Sequence, residues 1–410
     1  MTNWSKYNMR STVSLTKAVN YDRDTVYNSV KTLLEPLGGI EHFVTPGQRV
    51  LLKPNMLGVF KPEMAATTHP EIVYAVAKLI QEAGATVLIG DSPGIGDFKA
   101  VLKITGIQAV IDELDLQAVD FSLRAEYHDE QNLIGKSIEL AAIFKEVDVV
   151  ITLPKLKTHA QMTFTGALKN QFGCVPGLDK AKYHYKLKTR DWLAELMVDI
   201  NLIVKPSLAI MDAITGMEGP GPSGGDPRHI GVLIASTDLA AVDIIACSII
   251  NLPPETVPVS AAAARRNYGV IDLNHIDIVG EAWQQFEITD YKKVEHLVNI
   301  LKVMPLPKFL MDWMQRYWSP RPKIAEDKCI KCMKCRDVCP TTPPSIDPTK
   351  SWHATAKTCI KCYCCHEFCP VKAIDLPPTL LERFSPEKII PTLTGFYYGL
   401  INRFRSRQTK

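Results

Sequence analysis

Two short cysteine runs near the end of the chain constrain its fold more than any other feature. Each has the pattern C-x₂-C-x₂-C-x₃-C followed by proline, and they occupy residues 329–340 and 359–370. Nine of the eleven cysteines lie between Cys329 and Cys369, which indicates metal ligands rather than a disulfide framework. A segment this short cannot form a large hydrophobic core, so bound metal would supply much of its folding free energy.

This spacing resembles the bacterial-type 2×4Fe-4S ferredoxin domain over about residues 324–376. In that family the fourth cysteine of each run ligates the other cluster. The resemblance therefore implies two 4Fe-4S clusters and electron transfer, with one electron carried by each. The implied ligands are Cys329, Cys332, Cys335 and Cys369 for the first cluster, and Cys359, Cys362, Cys365 and Cys339 for the second.

A pair of zinc sites is the alternative, because C-x₂-C also binds zinc. Two complete runs of four cysteines, each ending in Cys-Pro, favour the clusters. Cys364 stands immediately before Cys365, where the ferredoxin pattern needs no cysteine. We interpret Cys364 as a thiol that is not a ligand.

The preceding residues alternate between apolar strands and amphipathic helices. At 410 residues the chain is long enough for two or more domains. We expect Thr68 to cap a helix with Pro70 in its first turn, and a second helix over residues 238–250. The buried strands are predicted at residues 49–56, 86–90, 148–153, 207–213 and 230–235. The pattern predicts an α/β body with a largely parallel sheet and flanking helices, plus a small C-terminal ferredoxin-like α+β iron–sulfur domain.

Composition divides the chain into four parts. Proline and aromatic residues become frequent after residue 304, which indicates a linker whose aromatic side chains pack one domain on the other. The predicted parts are the α/β body at 1–304, the linker at 305–323, the iron–sulfur domain at 324–376 and a basic, aromatic tail at 377–410.

Positive charge concentrates between Lys155 and Arg190. Eight lysines and arginines oppose one acid in this stretch, Asp179, so it carries +7 while the whole chain carries +3. The near balance of the whole chain does not by itself indicate a nucleic-acid partner. We interpret residues 180–190 as a solvated basic face.

The candidate catalytic residues lie in the first half of this stretch and are Lys155, Lys157, His159 and Lys169. Three of them directly follow the predicted strand 148–153, and turns at strand ends are where α/β proteins form sites. We expect the lysines to bind a carboxylate or phosphate, and His159 to be available for proton transfer.

The body resembles the family called domain of unknown function number 362, which is commonly fused to such a ferredoxin segment. The match covers roughly residues 45–255 and rests on the strings LLKPNM, THPEIVYAVAKLIQEAGA, GDSPG, LPKLKTH and GALKNQFGCVPG. The resemblance implies no settled reaction. At the level of fold alone, the family is distantly similar to the nickel-pincer lactate racemase group, whose members use Lys and His residues around a cofactor.

Other candidate sites are weaker. The glycine-rich residues 216–226 are predicted to be a loop that approaches an anion, a flexible lid or a plain connection. Asp91, Asp212 and Asp243 are candidates for metal binding, but helix capping or ion pairing is the commoner role of such residues. Cys174 is predicted to be a small buried residue.

These observations favour an iron–sulfur oxidoreductase. Two clusters would pass electrons between a soluble donor or acceptor protein and an anionic substrate or further cofactor at the basic site. The alternative is an electron-transfer or maturation adaptor whose body docks a partner protein and performs no chemistry. Nucleic-acid binding is disfavoured, because the basic stretch lacks the aromatic interleaving expected for base stacking.

The two ends of the chain bear on its location. The first twenty residues are polar and lack the apolar run of a secretory signal, so we expect a cytoplasmic protein. In the tail, residues 389–402 carry no Asp, Glu, Lys or Arg, but these 14 residues fall short of the ~20 that span a bilayer. Pro391 interrupts any long helix there, which favours docking of the tail on the protein over peripheral membrane contact.

Overall fold

The structure is a computed structural model, and it describes five stretches of the chain. These are residues 10–94, 96–177, 179–187, 189–294 and 319–377. Most of the predicted linker and nearly all of the predicted tail lie outside the described residues. The predictions that their aromatic and apolar side chains pack on the protein therefore stay predictions.

One mostly parallel sheet is the framework of the body. The strands of residues 10–294 are β1 (Ser11–Lys17), β2 (Arg49–Pro54), β3 (Thr86–Asp91), β4 (Gln117–Asp120), β5 (Arg124–His128), β6 (Ser137–Ala141), β7 (Val149–Leu153), β8 (Lys155–His159), β9 (Thr163–Thr165), β10 (Leu208–Glu218), β11 (Asp226–Ser236) and β12 (Ile276–Gly280). The sheet order is β12-β1-β11-β10-β7-β2-β3-β4, and β8 joins it through β10 and pairs with β9. Antiparallel pairing joins β11 to β1 and β10, and β8 to β9. Strands β5 and β6 form a separate hairpin.

Helices cover both faces of this sheet. They are α1 (Arg23–Leu34), α2 (Pro70–Glu82), α3 (Phe98–Ile104), α4 (Ile107–Leu114), α5 (Ala167–Asn170), α6 (Asp179–Lys186), α7 (Arg190–Val204), α8 (Leu239–Ile249) and α9 (Pro258–Arg265). Successive side chains of β2 point to opposite faces, so Leu51 packs in the core that contains α7 and α8, while Val50 and Leu52 pack in the core of α1 and α2. The predicted α/β fold is confirmed.

Two local predictions were wrong. The N-cap of α2 is His69, whose ring accepts from the Glu71 amide, because the Thr68 hydroxyl instead donates to the carbonyl of Leu153. Lys155 and the residues after it do not form a turn. They continue as β8, because Lys155 and Lys157 pair in parallel register with β10. The predicted loop 216–226 is correspondingly shorter, since β10 and β11 extend into it.

The described C-terminal segment has little regular structure. Its elements are β13 (Lys323–Ile324), β14 (Ile374–Asp375) and the short helices α10 (Lys334–Asp337) and α11 (Cys364–Glu367). Its main core consists of a few small and aliphatic side chains together with several of the cysteines. Among the described residues, no helix combines the length and the apolar character that crossing a bilayer requires.

The buried carboxylate of Asp199 on α7 yields a test of the body's fold. It accepts the backbone amides of Leu133 and Ile134 and pairs with the Arg266 guanidinium. Asp199→Ala removes the nearer of the two carboxylates beside that guanidinium, leaving Glu195 at 3.9 Å, and it also leaves the two amides without their acceptor. We expect it to lower the free energy of unfolding by about 3 kcal/mol in denaturant titrations. The matched control is Asp277→Ala, which removes an exposed ion pair and should leave stability unchanged. Equal denaturant midpoints of unfolding for Asp199→Ala and Asp277→Ala would contradict this description of the core.

Candidate iron–sulfur and anion site

The eight cysteines of the two runs divide into two sets in space. Each set lines a cavity, and the cavities measure about 320 and about 310 Å³ including space open to solvent. The first set is Cys329, Cys332, Cys335 and Cys369, and the second is Cys339, Cys359, Cys362 and Cys365. The fourth cysteine of each run therefore lies with the first three of the other run. Among the described residues, no group of three or more His, Cys, Asp or Glu side chains is placed to hold a single metal ion. This exchange of the fourth cysteine between the runs is the ligand arrangement of a two-cluster ferredoxin.

The two runs share one backbone conformation. Lys331 and Lys361 are both left-handed, with φ of 52° and 56°, and so are Met333 and Tyr363, with φ of 60° and 59°. Each pair occupies equivalent positions of the repeat, and a short helix follows in both. This conformation is uncommon for residues other than glycine. The two runs, which have the same cysteine spacing, therefore have the same backbone conformation at these positions.

Backbone amides donate to the cysteine that ends each run. Ser345 donates to Sγ of Cys339 at 3.3 Å, and Ala373 donates to Sγ of Cys369 at 3.1 Å. Hydrogen bonds to ligand sulfurs are one means by which proteins set cluster potentials. These contacts suit thiolate ligands.

Helix α11 docks the second run onto the body. His366 Nε2 lies 3.2 Å from the carbonyl of Pro220, and the Ser223 hydroxyl donates to the carbonyl of Glu367 at 3.1 Å. On the other side, the Phe368 ring packs so closely on Gly94 that a Cβ at that glycine would lie 3.1 Å from it. The glycine-rich loops after β3 and β10 thus form a platform for α11.

Strand β8 presents the predicted site residues beneath α11. Lys155, Lys157 and His159 alternate along the strand and therefore share one face, and all three are buried. The Lys155 ammonium is paired, with Asp212 at 2.8 Å and the Tyr21 hydroxyl at 2.9 Å. Lys155 thus closes an internal network.

Lys157 and Lys169 have no such carboxylate partner among the described residues. The Lys157 ammonium donates to Oδ1 of Asn55 at 2.8 Å and to the carbonyl of Ala66 at 2.5 Å, and both acceptors are uncharged. Burial, and then the charge of Lys169, lower the pKa of Lys157 to about 7. Burial also lowers the pKa of Lys169, which is half-buried on α5. Neither lysine forms a salt bridge with a described carboxylate.

His159 is held as a neutral donor beside them. Its Nδ1 accepts the backbone amides of Gln161 at 3.1 Å and Met162 at 3.2 Å. The proton of the neutral ring is therefore on Nε2, which lies 3.9 Å from Oε2 of Glu367. Burial, followed by the charge of Lys169, holds the pKa of His159 well below its usual range.

The prediction of a solvated face at residues 180–190 was wrong for Lys180 and Arg190. Arg190 is buried at the start of α7, where Nη1 donates to the carbonyl of Gln161 and Nη2 has no hydrogen-bond partner. Burial lowers its pKa. Lys180 is half-buried with a pKa lowered by burial to about 8, and it donates to the carbonyl of Ser92. The exposed part of the stretch includes Lys182.

The three candidate aspartates pair or cap. Asp91 forms a buried ion pair with Lys53 at 2.9 Å, Asp212 pairs with Lys155, and Asp243 accepts the first two amides of α5. Burial raises the pKa of Asp243 to about 7. Cys174 is buried, as predicted.

Sequence reasoning missed Lys53, Arg190 and Glu367. A signal existed for Lys53, because a lysine within an otherwise apolar strand requires a buried partner. Arg190 and Glu367 carry no local signal, since only the tertiary fold buries them against β8 and its hairpin.

Comparison with known proteins places both parts of the chain. The family model "Domain of unknown function (DUF362)" matches residues 50–248, from β2 to α8, and the "4Fe-4S binding domain" model matches residues 322–342. The C-terminal segment is therefore an iron–sulfur segment suited to electron transfer. The thylakoid-associated protein sll1697 of Synechocystis sp. is 42% identical over 258 residues, which cover 63% of this chain and 80% of that protein.

Two solved structures are similar over part of their length. The lactate racemase apoprotein of Thermoanaerobacterium thermosaccharolyticum aligns at 12% identity with a TM-score of 0.36, over 58% of this chain and 57% of its own. A Thermotoga maritima protein solved by the Northeast Structural Genomics Consortium aligns at 12% identity with a TM-score of 0.34, over 55% of this chain and 57% of its own. The two family matches confirm the resemblances seen in the sequence. The chain belongs to the DUF362 family and carries an iron–sulfur segment after that domain.

Proposed function

We propose that the protein is an iron–sulfur oxidoreductase whose body holds an anionic substrate or cofactor under α11. The observation that carries this proposal is the position of α11. This helix contains Cys365 of the second cysteine set, and it brings Glu367 to 3.9 Å from His159, beside the two lysines that lack carboxylate partners. An ammonium buried without a carboxylate partner costs several kcal/mol of folding free energy. A bound anion would offset that cost.

Each residue beneath α11 has a separate role in this proposal. Lys157 and Lys169 bind the anion as point charges, and Arg190 contributes a donor at Nη2. His159 offers its Nε2 proton to the bound molecule. The Phe368 ring packs against the apolar cluster of Phe60, Ala65, Ala66 and Met217, which excludes water from this side of α11.

The two cysteine sets fit two 4Fe-4S clusters, each of which exchanges one electron when bound. The first set lies at the surface, where Cys332 and Ile330 are exposed and Ile330 retains 62% of its accessible area. We propose that a soluble donor or acceptor protein docks at this exposed end. The second set then lies between that end and the anion site.

An adaptor without its own chemistry remains the second candidate function. The name of the Synechocystis relative, a thylakoid-associated protein, supports peripheral contact with a membrane as a proposal for location. An adaptor, however, has no need of uncompensated lysines beneath its second cysteine set. Anion binding that depends on those lysines therefore separates the two candidates.

We expect about eight irons and about eight sulfides per chain after anaerobic preparation. Cys364→Ser should leave the iron content unchanged, because Cys364 is outside both cysteine sets. Cys365→Ser, one position along, should remove about half of the iron. Iron and sulfide analysis with visible spectra makes the measurement. About two zinc ions and no visible absorption, or loss of half the iron in Cys364→Ser, would contradict the assignment.

Anion binding should depend on Lys157 and Lys169. Calorimetric titration of the iron-loaded protein with oxalate should show binding that Lys157→Met or Lys169→Met weakens about 30-fold or more, equivalent to about 2 kcal/mol. Lys182→Met is the matched control, because this lysine is 76% exposed and should not affect binding. Equal affinity in all four proteins would overturn the proposed site.

Binding should take up a proton near neutral pH. The Lys157 ammonium is half deprotonated at about pH 7 in the free protein, and a neighbouring anion favours its charged form and raises its pKa. At pH 8 oxalate should therefore bind with proton uptake, whereas at pH 6 Lys157 is already charged and the uptake should shrink. Titrations in buffers of different ionisation enthalpy measure this, and Lys157→Met should reduce the uptake. Proton uptake on oxalate binding that is the same at pH 6 and pH 8 would contradict the assignment of this proton to Lys157.

A further inference from the structure

Glu367 is the carboxylate of α11, and it lies on the side of His159, Lys157 and Lys169. Its side chain is only 16% exposed, and Oε2 lies 3.9 Å from the Nε2 of His159. The equivalent residue of the first run is Asp337, which follows Cys335 by two positions as Glu367 follows Cys365, and it is exposed on α10. The repeat thus places one carboxylate in solvent and the other over the site.

The charge of Glu367 acts on both unpaired lysines. Burial, and for Lys157 also the charge of Lys169, lower the lysine pKa values, while the Glu367 carboxylate opposes that shift at Lys157 and Lys169. No described carboxylate forms a salt bridge with either ammonium. Glu367 therefore supplies negative charge to the site without a direct ion pair.

Docking of α11 does not depend on this carboxylate. The helix is fixed by the backbone carbonyl of Glu367, by His366 and by Phe368. The carboxylate oxygens of Glu367 make no hydrogen bond to the described residues, and 3.9 Å to His159 is longer than a hydrogen bond. The side chain can therefore leave the site while α11 stays in place.

We propose that Glu367 occupies the place of the substrate's carboxylate, so that the site takes a small organic carboxylate and Glu367 competes with it. This inference rests on the proposed function and names its ligand class. The neutral Nε2 donor of His159 and the ammonium groups of Lys157 and Lys169 would bind an incoming carboxylate, whose charge would take the place of the Glu367 charge. The internal carboxylate keeps the charge of the site partly compensated when no ligand is bound.

The test is calorimetric titration of iron-loaded protein with oxalate. Glu367→Gln removes the competing charge and should bind oxalate about tenfold more tightly than the wild type. This factor is expected if the Glu367 side chain has left the site in about a tenth of wild-type molecules, whereas nearly all molecules of the variant can bind. Asp337→Asn is the matched control at the equivalent position and should bind as the wild type does. Inorganic phosphate serves as the comparison anion and should gain less from Glu367→Gln, while an equal gain would overturn the carboxylate class.

The remaining outcomes separate this inference from the proposed function. Equal oxalate affinity in wild type and Glu367→Gln, lost in Lys157→Met, would overturn the role of Glu367 and leave the anion site intact. Oxalate binding that never depends on Lys157 would overturn the proposed function itself. If Glu367→Gln loses iron, amide hydrogen exchange of the wild-type protein replaces the titration of the variant. Oxalate that displaces the Glu367 side chain should speed the exchange of the backbone amides in α11. Unchanged exchange in the presence of saturating oxalate would then overturn the inference.

Discussion

The Lys157 ammonium lies in the protein interior, where its acceptors are an amide oxygen and a main-chain carbonyl. Lys169 adds a second positive charge close enough to lower the pKa of Lys157. Interior charges are ordinarily matched, as Lys53 is by Asp91 and Lys155 is by Asp212 in this same body. Lys157 on β8 and Lys169 on α5 differ from these two lysines, because neither forms a salt bridge with a described carboxylate. Strand β8 carries Lys157, and the loops after β3 and β10 hold α11 beside it.

The iron–sulfur segment contributes to the site through a break in its own symmetry. Its two runs share cysteine spacing and left-handed backbone positions, yet α10 is mostly exposed while α11 is covered by the body. The residue pairs that differ are the ones the body contacts, with His366 and Glu367 where the first run has Arg336 and Asp337. The two runs thus share their cysteine pattern, and the helix of the second run is the one that docks on the body. This gives the segment one end at the surface and one end at the lysines.

Much of the fold follows from the sequence because apolar runs and their spacing are local properties. The strands β2, β3 and β7 lie where the apolar runs predict them, and the four residues Lys155, Lys157, His159 and Lys169 are brought together. The errors arose where tertiary contacts decide. The Thr68 hydroxyl bonds across to Leu153 rather than capping a helix, and Arg190, in a run of charged residues that reads as solvated, is buried beside the hairpin of β8 and β9. No local sequence pattern predicts that Glu367, about 200 residues further along the chain, lies close to His159.

Lys157 and Lys169 lie on the side of α11, which contains Cys365 of the second cysteine set. An EPR-monitored redox titration of the iron-loaded protein, comparing the wild type with Lys169→Met, tests this placement. Removing the positive charge of the half-buried Lys169 makes an added electron less stable nearby, and the effect falls with distance. We predict that the midpoint potential of one cluster falls in Lys169→Met while that of the other is unchanged. Two unchanged potentials, or two that shift equally, would contradict this placement of the lysines.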